Sequence, residues 1–184
     1  MCQTTGAMAV AFDIAVRILD PAWRSLWPSA VGHIRGAART ALDSAASGAI
    51  SEKDTTVELA IVLAGDDEVQ RLNRDYRGID KPTNVLSFGG ASDGRQRARG
   101  EPVILGDVVL ARETVVAEAA AQGKSIADHS LHLVIHGVLH LLGHDHESAR
   151  EADAMEALEI ELLALLGVAN PYAVQAGRRA RRQV

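Results

Sequence analysis

The chain has 184 residues, 47% of them hydrophobic and 23% charged, with a formal net charge of -5. This is the composition of a globular domain with a sizeable core, and the charge alone does not advertise nucleic-acid binding. The single Cys2 excludes an internal disulfide and a cysteine-based zinc site, and no apolar run approaches the length of a membrane span.

The N-terminus has no charged region followed by an apolar one, so a cytoplasmic protein without a signal peptide is the expectation. Aromatics are only 3%, which predicts an aliphatic core. One domain is expected over residues 8–168, between an unstructured extension at 1–7 and a disordered Arg-rich tail at 169–184.

Val10–Ile18 is rich in β-branched residues and partly alternating, and reads as a strand. Asp20-Pro21 starts a helix that Pro28 interrupts and that resumes over Val31–Ser44. Ala45–Asp54 is small and polar and reads as a loop, and Thr56–Ala64 as a strand. A helix follows over Asp67–Tyr76, with acids in its first turn where the helix dipole favours them.

Arg77–Thr83 is turn-rich, Asn84–Phe88 is a short strand, and Gly89–Gly100 is a surface loop. Val103–Ala111 is a strand with Gly106 as a bulge or close-approach point. Helices follow over Arg112–Gln122, Ser125–Leu142 and Ser148–Leu166, the first and last closed by Gly123 and Gly167. Mixed strands and helices, ending in helices, predict an α+β or α/β layer arrangement around one sheet, with the nearly aliphatic Ser125–Leu142 helix central and buried.

Six of the seven histidines fall between His129 and His146. His136 and His140 are four apart, so on a helix they share one face. His146 lies six residues further on, past Gly143, and glycine supplies the positive φ at which a helix stops. A helix, a break and a returning ligand together describe three imidazoles around one metal. His132 and His140 are two turns apart, about 12 Å by helical rise, too far to share an ion. His132 and His129 are then supporting, substrate-facing or structural residues. His144 stays a competing donor, and Asp145 is either a further ligand or, as the preferred reading, caps the turn or orients a histidine. The bland alternative is a helix of satisfied, buried histidines.

Histidines at 0 and 4, glycine at 7 and histidine at 10 reproduce the framework of the long metzincin zinc signature. The general-base glutamate that follows the first histidine in those peptidases is replaced by Gly137. The metal cage is therefore present and the peptidase base is absent. Three imidazoles leave one coordination position open, as in catalytic sites. Zn²⁺ is the default for such a set, with Ni²⁺, Co²⁺ and Cu²⁺ as alternatives.

A substrate that brings its own charge suits this site, and a phosphodiester does. Arg71, Arg74, Arg77, Lys81, Arg95, Arg97 and Arg99 form a basic segment that can guide a polyanion. Arg77, at the end of the Asp67–Tyr76 helix, is the candidate to meet developing negative charge. The competing reading of Arg77 is a surface arginine. The acids of Glu147–Glu161 read as a solvated helix face.

The segment HGVLHLLGHDH, His136–His146, resembles the signature of the YbeY family of bacterial metal-dependent endoribonucleases. LNRDYRGIDKPTNVLSF (Leu72–Phe88) and ILGDVVLA (Ile104–Ala111) support the resemblance, which covers roughly Val10 to Gly167. The chain departs from the family pattern at His144, where Tyr is usual, at Gly89, where Pro is usual, and at Ala111, where Ser is common.

The resemblance implies a single α+β domain, a small mixed β-sheet packed with helices beside a metal-binding central helix. It implies one Zn²⁺ on His136, His140 and His146, and a functional arginine at Arg77. The implied activity is hydrolytic cleavage of single-stranded RNA, in processing of the 16S rRNA 3′ end, ribosome biogenesis and quality control. The implied partners are the small ribosomal subunit, one of its proteins and an assembly GTPase, with no membrane. Two other readings stand beside it: a metallohydrolase of another substrate, and a metal-stabilised ribosome-assembly factor that does not cut.

Overall fold

The computed structural model describes residues 10–49, 56–90, 101–144 and 148–173. The expected extension at 1–7, most of the 89–100 loop, His146 and the arginines of the tail lie outside these residues.

Four strands form one sheet: β1 (Ala11–Ile18), β2 (Thr56–Ala64), β3 (Val85–Gly89) and β4 (Val103–Ala111). Their order is β1-β2-β4-β3; β1, β2 and β4 run parallel, and β3 pairs antiparallel to β4 at the edge. Both faces of the sheet are covered, which is why β2 and β4 read as nearly unbroken aliphatic runs. Leu59, Ile61, Leu63, Val108 and Leu110 point into the main core. Alternate residues Ala64, Val109 and Ala111 join a smaller core with Val69 and Leu86.

Among the described residues there are six helices: α1 (Ala22–Leu26), α2 (Ala30–Ala49), α3 (Asp66–Arg77), α4 (Arg112–Gln122), α5 (Ile126–Leu141) and α6 (Ala149–Leu165). Helices α2, α5 and α6 pack on one another over the main core, whereas α3 brings Val69 and Leu72 to the smaller one. The expected α+β domain with a buried central helix is therefore what forms, since α5 meets α2, α4, α6, β3 and β4.

Three expectations change. Helix α2 runs to Ala49, so the loop expected from Ala45 starts later. The core is not wholly aliphatic: Trp23 is fully buried and its indole N–H donates to the Ala64 carbonyl at 2.9 Å. The tail expected from residue 169 packs through its first residues: Pro171 is buried, the Lys124 ammonium donates to its carbonyl at 2.9 Å, and Tyr172 is half-buried. Short polar sequences give no local sign of such docking, because its partners, Lys124, His132 of α5 and Glu159 of α6, are distant in the chain.

The ends of the helices follow sequence. Ser125 caps α5 by accepting from the Asp128 N–H. Ser148 and Glu151 form a reciprocal capping box at the start of α6. Asp66 and Glu113 tie α3 to α4. The Glu113 carboxylate accepts from the Asp66 N–H at 2.8 Å, and the Asp66 carboxylate accepts from the Thr114 N–H at 3.0 Å. Gly106 sits at φ +138°, and a Cβ there would lie 2.1 Å from the Phe88 carbonyl oxygen. The β2–β4 register shifts beside it, so the expected close-approach point is also an irregularity in the ladder.

Candidate metal centre

Helix α5 is buried along most of its length by leucine, valine and isoleucine. His132 and His136 stand on the side turned toward α6 and Tyr172, whereas His129 faces α4. His136 and His140 lie one turn apart, with ring centroids 4.5 Å apart and near-perpendicular planes. Their Nε2 atoms approach to 3.1 Å. Two nitrogens bound tetrahedrally at about 2.0–2.1 Å to one ion stand about 3.3 Å apart. The pair is thus already spaced for a shared cation, and the residues present fit the implied metal.

The helix stops as its sequence requires. Gly143 takes φ +88°, its N–H donates to the His140 carbonyl, and the His144 N–H donates back to the Leu139 carbonyl at 3.0 Å. The helix therefore ends just after His140. His146 and Asp145, expected as ligand and turn residue, lie outside the described residues; His144 lies within them, and its backbone closes the helix. Among the described residues no group of three or more His, Cys, Asp or Glu converges as a complete metal cage.

Gly137 faces the sheet. A Cβ there would meet a Val108 methyl at 2.7 Å and the Ser87 hydroxyl at 3.0 Å. The position of the peptidase glutamate thus points into packed β-sheet, away from the histidine pair, and has no room for a side chain. In the same place the Ser87 hydroxyl donates to the Gly137 carbonyl at 3.2 Å.

Arg77 ends α3, and Gly78 follows in the left-handed conformation at φ 70°. The Arg77 guanidinium donates to the Ser87 carbonyl at 3.3 Å. Among the described residues it is linked to α5 through β3, by way of Ser87, and no contact with a histidine is seen. The basic segment is less open than its composition suggests. Arg71 pairs with Glu68 and Asp75, and Arg74 pairs with Asp75 and Asp80. Arg77 instead has a carbonyl partner among the described residues and stays exposed.

The other two histidines of α5 have partners that sequence did not supply. His129 is buried and donates from Nε2 to Glu118 at 2.8 Å; the same carboxylate oxygen accepts from Asn84 at 2.9 Å. Burial holds the His129 imidazole below its ordinary pKa, against the opposing pull of Glu118. His132 binds through Nε2 to Glu159 at 2.9 Å.

Glu159 falls in the stretch expected to be a solvated acidic face, yet it is 1% exposed. Its carboxylate meets His136 Nδ1 at 2.7 Å, His132 Nε2 at 2.9 Å and the Tyr172 hydroxyl. Burial pushes its carboxyl upward, but the hydrogen bonds from His132, His136 and Tyr172 outweigh this and hold it at about 2. Burial and the adjacent carboxylate push the Tyr172 phenol up. A cavity of about 250 Å³ opens here, lined by His136, Ala152, Met155, Glu156, Glu159 and Tyr172. A second cleft, between α3 and the opposite sheet face, is lined by Leu72, Tyr76, Phe88 and Val109 among others and by no histidine.

Comparison with known proteins finds relatives over most of the chain. The family model described as endoribonuclease YbeY matches residues 30–167. The chain is 53% identical to the endoribonuclease YbeY of Paramagnetospirillum magneticum, over 91% of this chain and all of that one. It is 50% identical to that of Rhodospirillum rubrum, over 87% of this chain and 81% of that one. Its fold resembles the solution structure of TM1509 from Thermotoga maritima, with a TM-score of 0.50 at 22% identity, covering 84% of this chain and 91% of that one.

Proposed function

The chain belongs to the endoribonuclease YbeY family, and from that premise we propose that it is a zinc-dependent endoribonuclease of ribosomal RNA, with His136, His140 and His146 as its metal ligands. The observation that carries the metal reading is the 3.1 Å approach of the His136 and His140 Nε2 atoms on either side of one helical turn. An all-imidazole donor set suits Zn²⁺. When bound there, the ion supplies Lewis-acid polarisation of a phosphoryl oxygen and a lowered water pKa.

The chain's own groups account for the rest. Gly137 leaves no carboxylate beside the first histidine, so the site carries no peptidase-type base on α5. RNA supplies an internal nucleophile in its 2′-OH, which reduces the need for one. Arg77 offers guanidinium N–H groups to the charge that develops on the phosphate. Its bond to the Ser87 carbonyl holds it over the edge strand that packs on α5. A single-stranded substrate fits because a flexible backbone can reach both groups.

The substrate is proposed to be the 3′ end of 16S rRNA, on the small ribosomal subunit, with a subunit protein and an assembly GTPase as partners in the cytoplasm. No helix of the described residues is long and apolar enough to cross a membrane. The test measures metal content and single-stranded RNA cleavage on nuclease-free wild type, His140→Ala and Arg77→Ala. The expected result is one ion per chain and cleavage in wild type, loss of both in His140→Ala, and retained metal with at least 100-fold slower cleavage in Arg77→Ala. Metal-loaded wild type that leaves RNA intact would exclude the nuclease reading. Accumulation of 16S precursors in depleted cells, rescued by wild type and not by His140→Ala, would tie the activity to that substrate.

A further inference from the structure

Glu159 presents an energetic problem. It is a carboxyl group at 1% exposure whose two oxygens meet only hydrogen-bond donors, the pattern of an acceptor-only carboxylate, and among the described residues it is paired with no lysine or arginine. Its partners are two imidazoles and a phenol. An ionised group taken out of water is costly unless another charge compensates it.

The hydrogen-bond pattern restricts where that charge can be. His132 bonds to Glu159 through Nε2, and among the described residues its buried Nδ1 has no partner. If His132 were protonated on both nitrogens, the Nδ1–H would be an unsatisfied buried donor. The neutral tautomer, with hydrogen on Nε2, leaves only a lone pair there and is the less costly form. Tyr172 donates as a neutral hydroxyl. His136 meets the other carboxylate oxygen through Nδ1 at 2.7 Å. With its hydrogen on Nδ1, its Nε2 lone pair is directed to the point where His140 Nε2 also arrives.

We infer that Glu159 is a positioning residue for the metal centre: it fixes the His136 tautomer and ring so that Nε2 is the ligating atom, and its buried negative charge is balanced by the cation on the far side of that imidazole. His132 and Tyr172 hold the second carboxylate oxygen, so the turn after α6 belongs to the support of the site. A carboxylate behind a ligating histidine raises the basicity of the ligand and restrains its rotation. This assignment rests on the metal reading above.

The test is a metal-affinity measurement on the full chain, made by competing Zn²⁺ against a chromophoric chelator and repeated with Co²⁺ to follow its absorption bands. Wild type, Glu159→Gln and Tyr172→Phe are compared, together with the melting temperature of each metal-free chain. Glu159→Gln keeps the size of the side chain and removes its charge. The expected result is a 10- to 100-fold loss of metal affinity and altered Co²⁺ bands, with a metal-free melting temperature at or above that of wild type, because an uncompensated buried charge has been removed. Tyr172→Phe, which leaves every ligand and the carboxylate in place, should fold and lose less affinity than Glu159→Gln.

A purely structural Glu159 would give the opposite pattern: a lower metal-free melting temperature and unchanged metal affinity in the folded fraction of both variants. That outcome overturns the assignment while leaving the metal reading intact. A wild-type chain that takes up neither ion overturns the metal reading, and this assignment with it.

Discussion

The hydroxyl of Ser87 donates to the carbonyl of Gly137 at 3.2 Å, fastening the edge strand β3 to α5 one residue after His136. The carbonyl of Ser87 meanwhile accepts from Arg77. One residue thus connects the candidate charge-stabilising arginine to the helix that carries the candidate ligands. Ser87→Ala should lose about 1 kcal/mol of stability and slow RNA cleavage while metal content stays at the wild-type level. Chemical denaturation and metal analysis on the same preparations check this; metal loss on this substitution would contradict the separation of the two roles.

Restoring the peptidase pattern should fail for a packing reason. At Gly137 a Cβ meets the Val108 methyl at 2.7 Å, and Val108 is fully buried and β-branched, so it has little room to turn. Gly137→Ala should be destabilising by about 1–2 kcal/mol even after the helix-propensity gain of alanine. Gly137→Glu should be worse than Gly137→Ala and should show no peptide hydrolysis. Thermal melts of the two variants and a peptide assay decide it.

Gly106 combines a left-handed φ with a Cβ position 2.1 Å from the Phe88 carbonyl oxygen. Both the backbone conformation and the space exclude a side chain. Gly106→Ala should lose about 3 kcal/mol, with the loss concentrated in the β3–β4 pairing. Hydrogen exchange at the β3 and β4 amides should rise before that of α2 does.

His129 gives a pH dependence with a definite sign. Burial depresses its folded pKa below the ordinary imidazole value of about 6.5, so the unfolded chain takes up the proton first. The stability it contributes is fully present above that value and is lost as the pH falls through the depressed folded pKa. In the chelator-treated chain, wild type should lose stability on acidification below about pH 6.5 more steeply than His129→Gln. Denaturation curves at several pH values, with equal slopes for the two proteins, would remove His129 from the acid response.

Most of the elements were legible in the chain because their signals are local. β2 and β4 fall where aliphatic runs place them, Gly123 and Gly143 end helices where glycine can take a positive φ, and Ser125 and Ser148 cap where their side chains reach a nearby N–H. The His136–His140 pair is of the same kind, because a spacing of four on a helix dictates a shared face.

What the chain by itself determined was therefore the helix, its stop and the imidazole pair, along with an α+β domain of the YbeY family. The tertiary structure decided which polar groups are buried and what they serve. Glu159 looks like any other acid of an acidic helix; it becomes a buried carboxylate only because α6 packs on α5 and Tyr172 closes over it. Arg77 reads as one arginine among several until neighbouring acids pair with Arg71 and Arg74 and leave it to the Ser87 carbonyl. The physical reason is range: helix periodicity and caps act over about four residues, whereas Glu159 meets His136 across 23 residues and Ser87 meets Gly137 across 50.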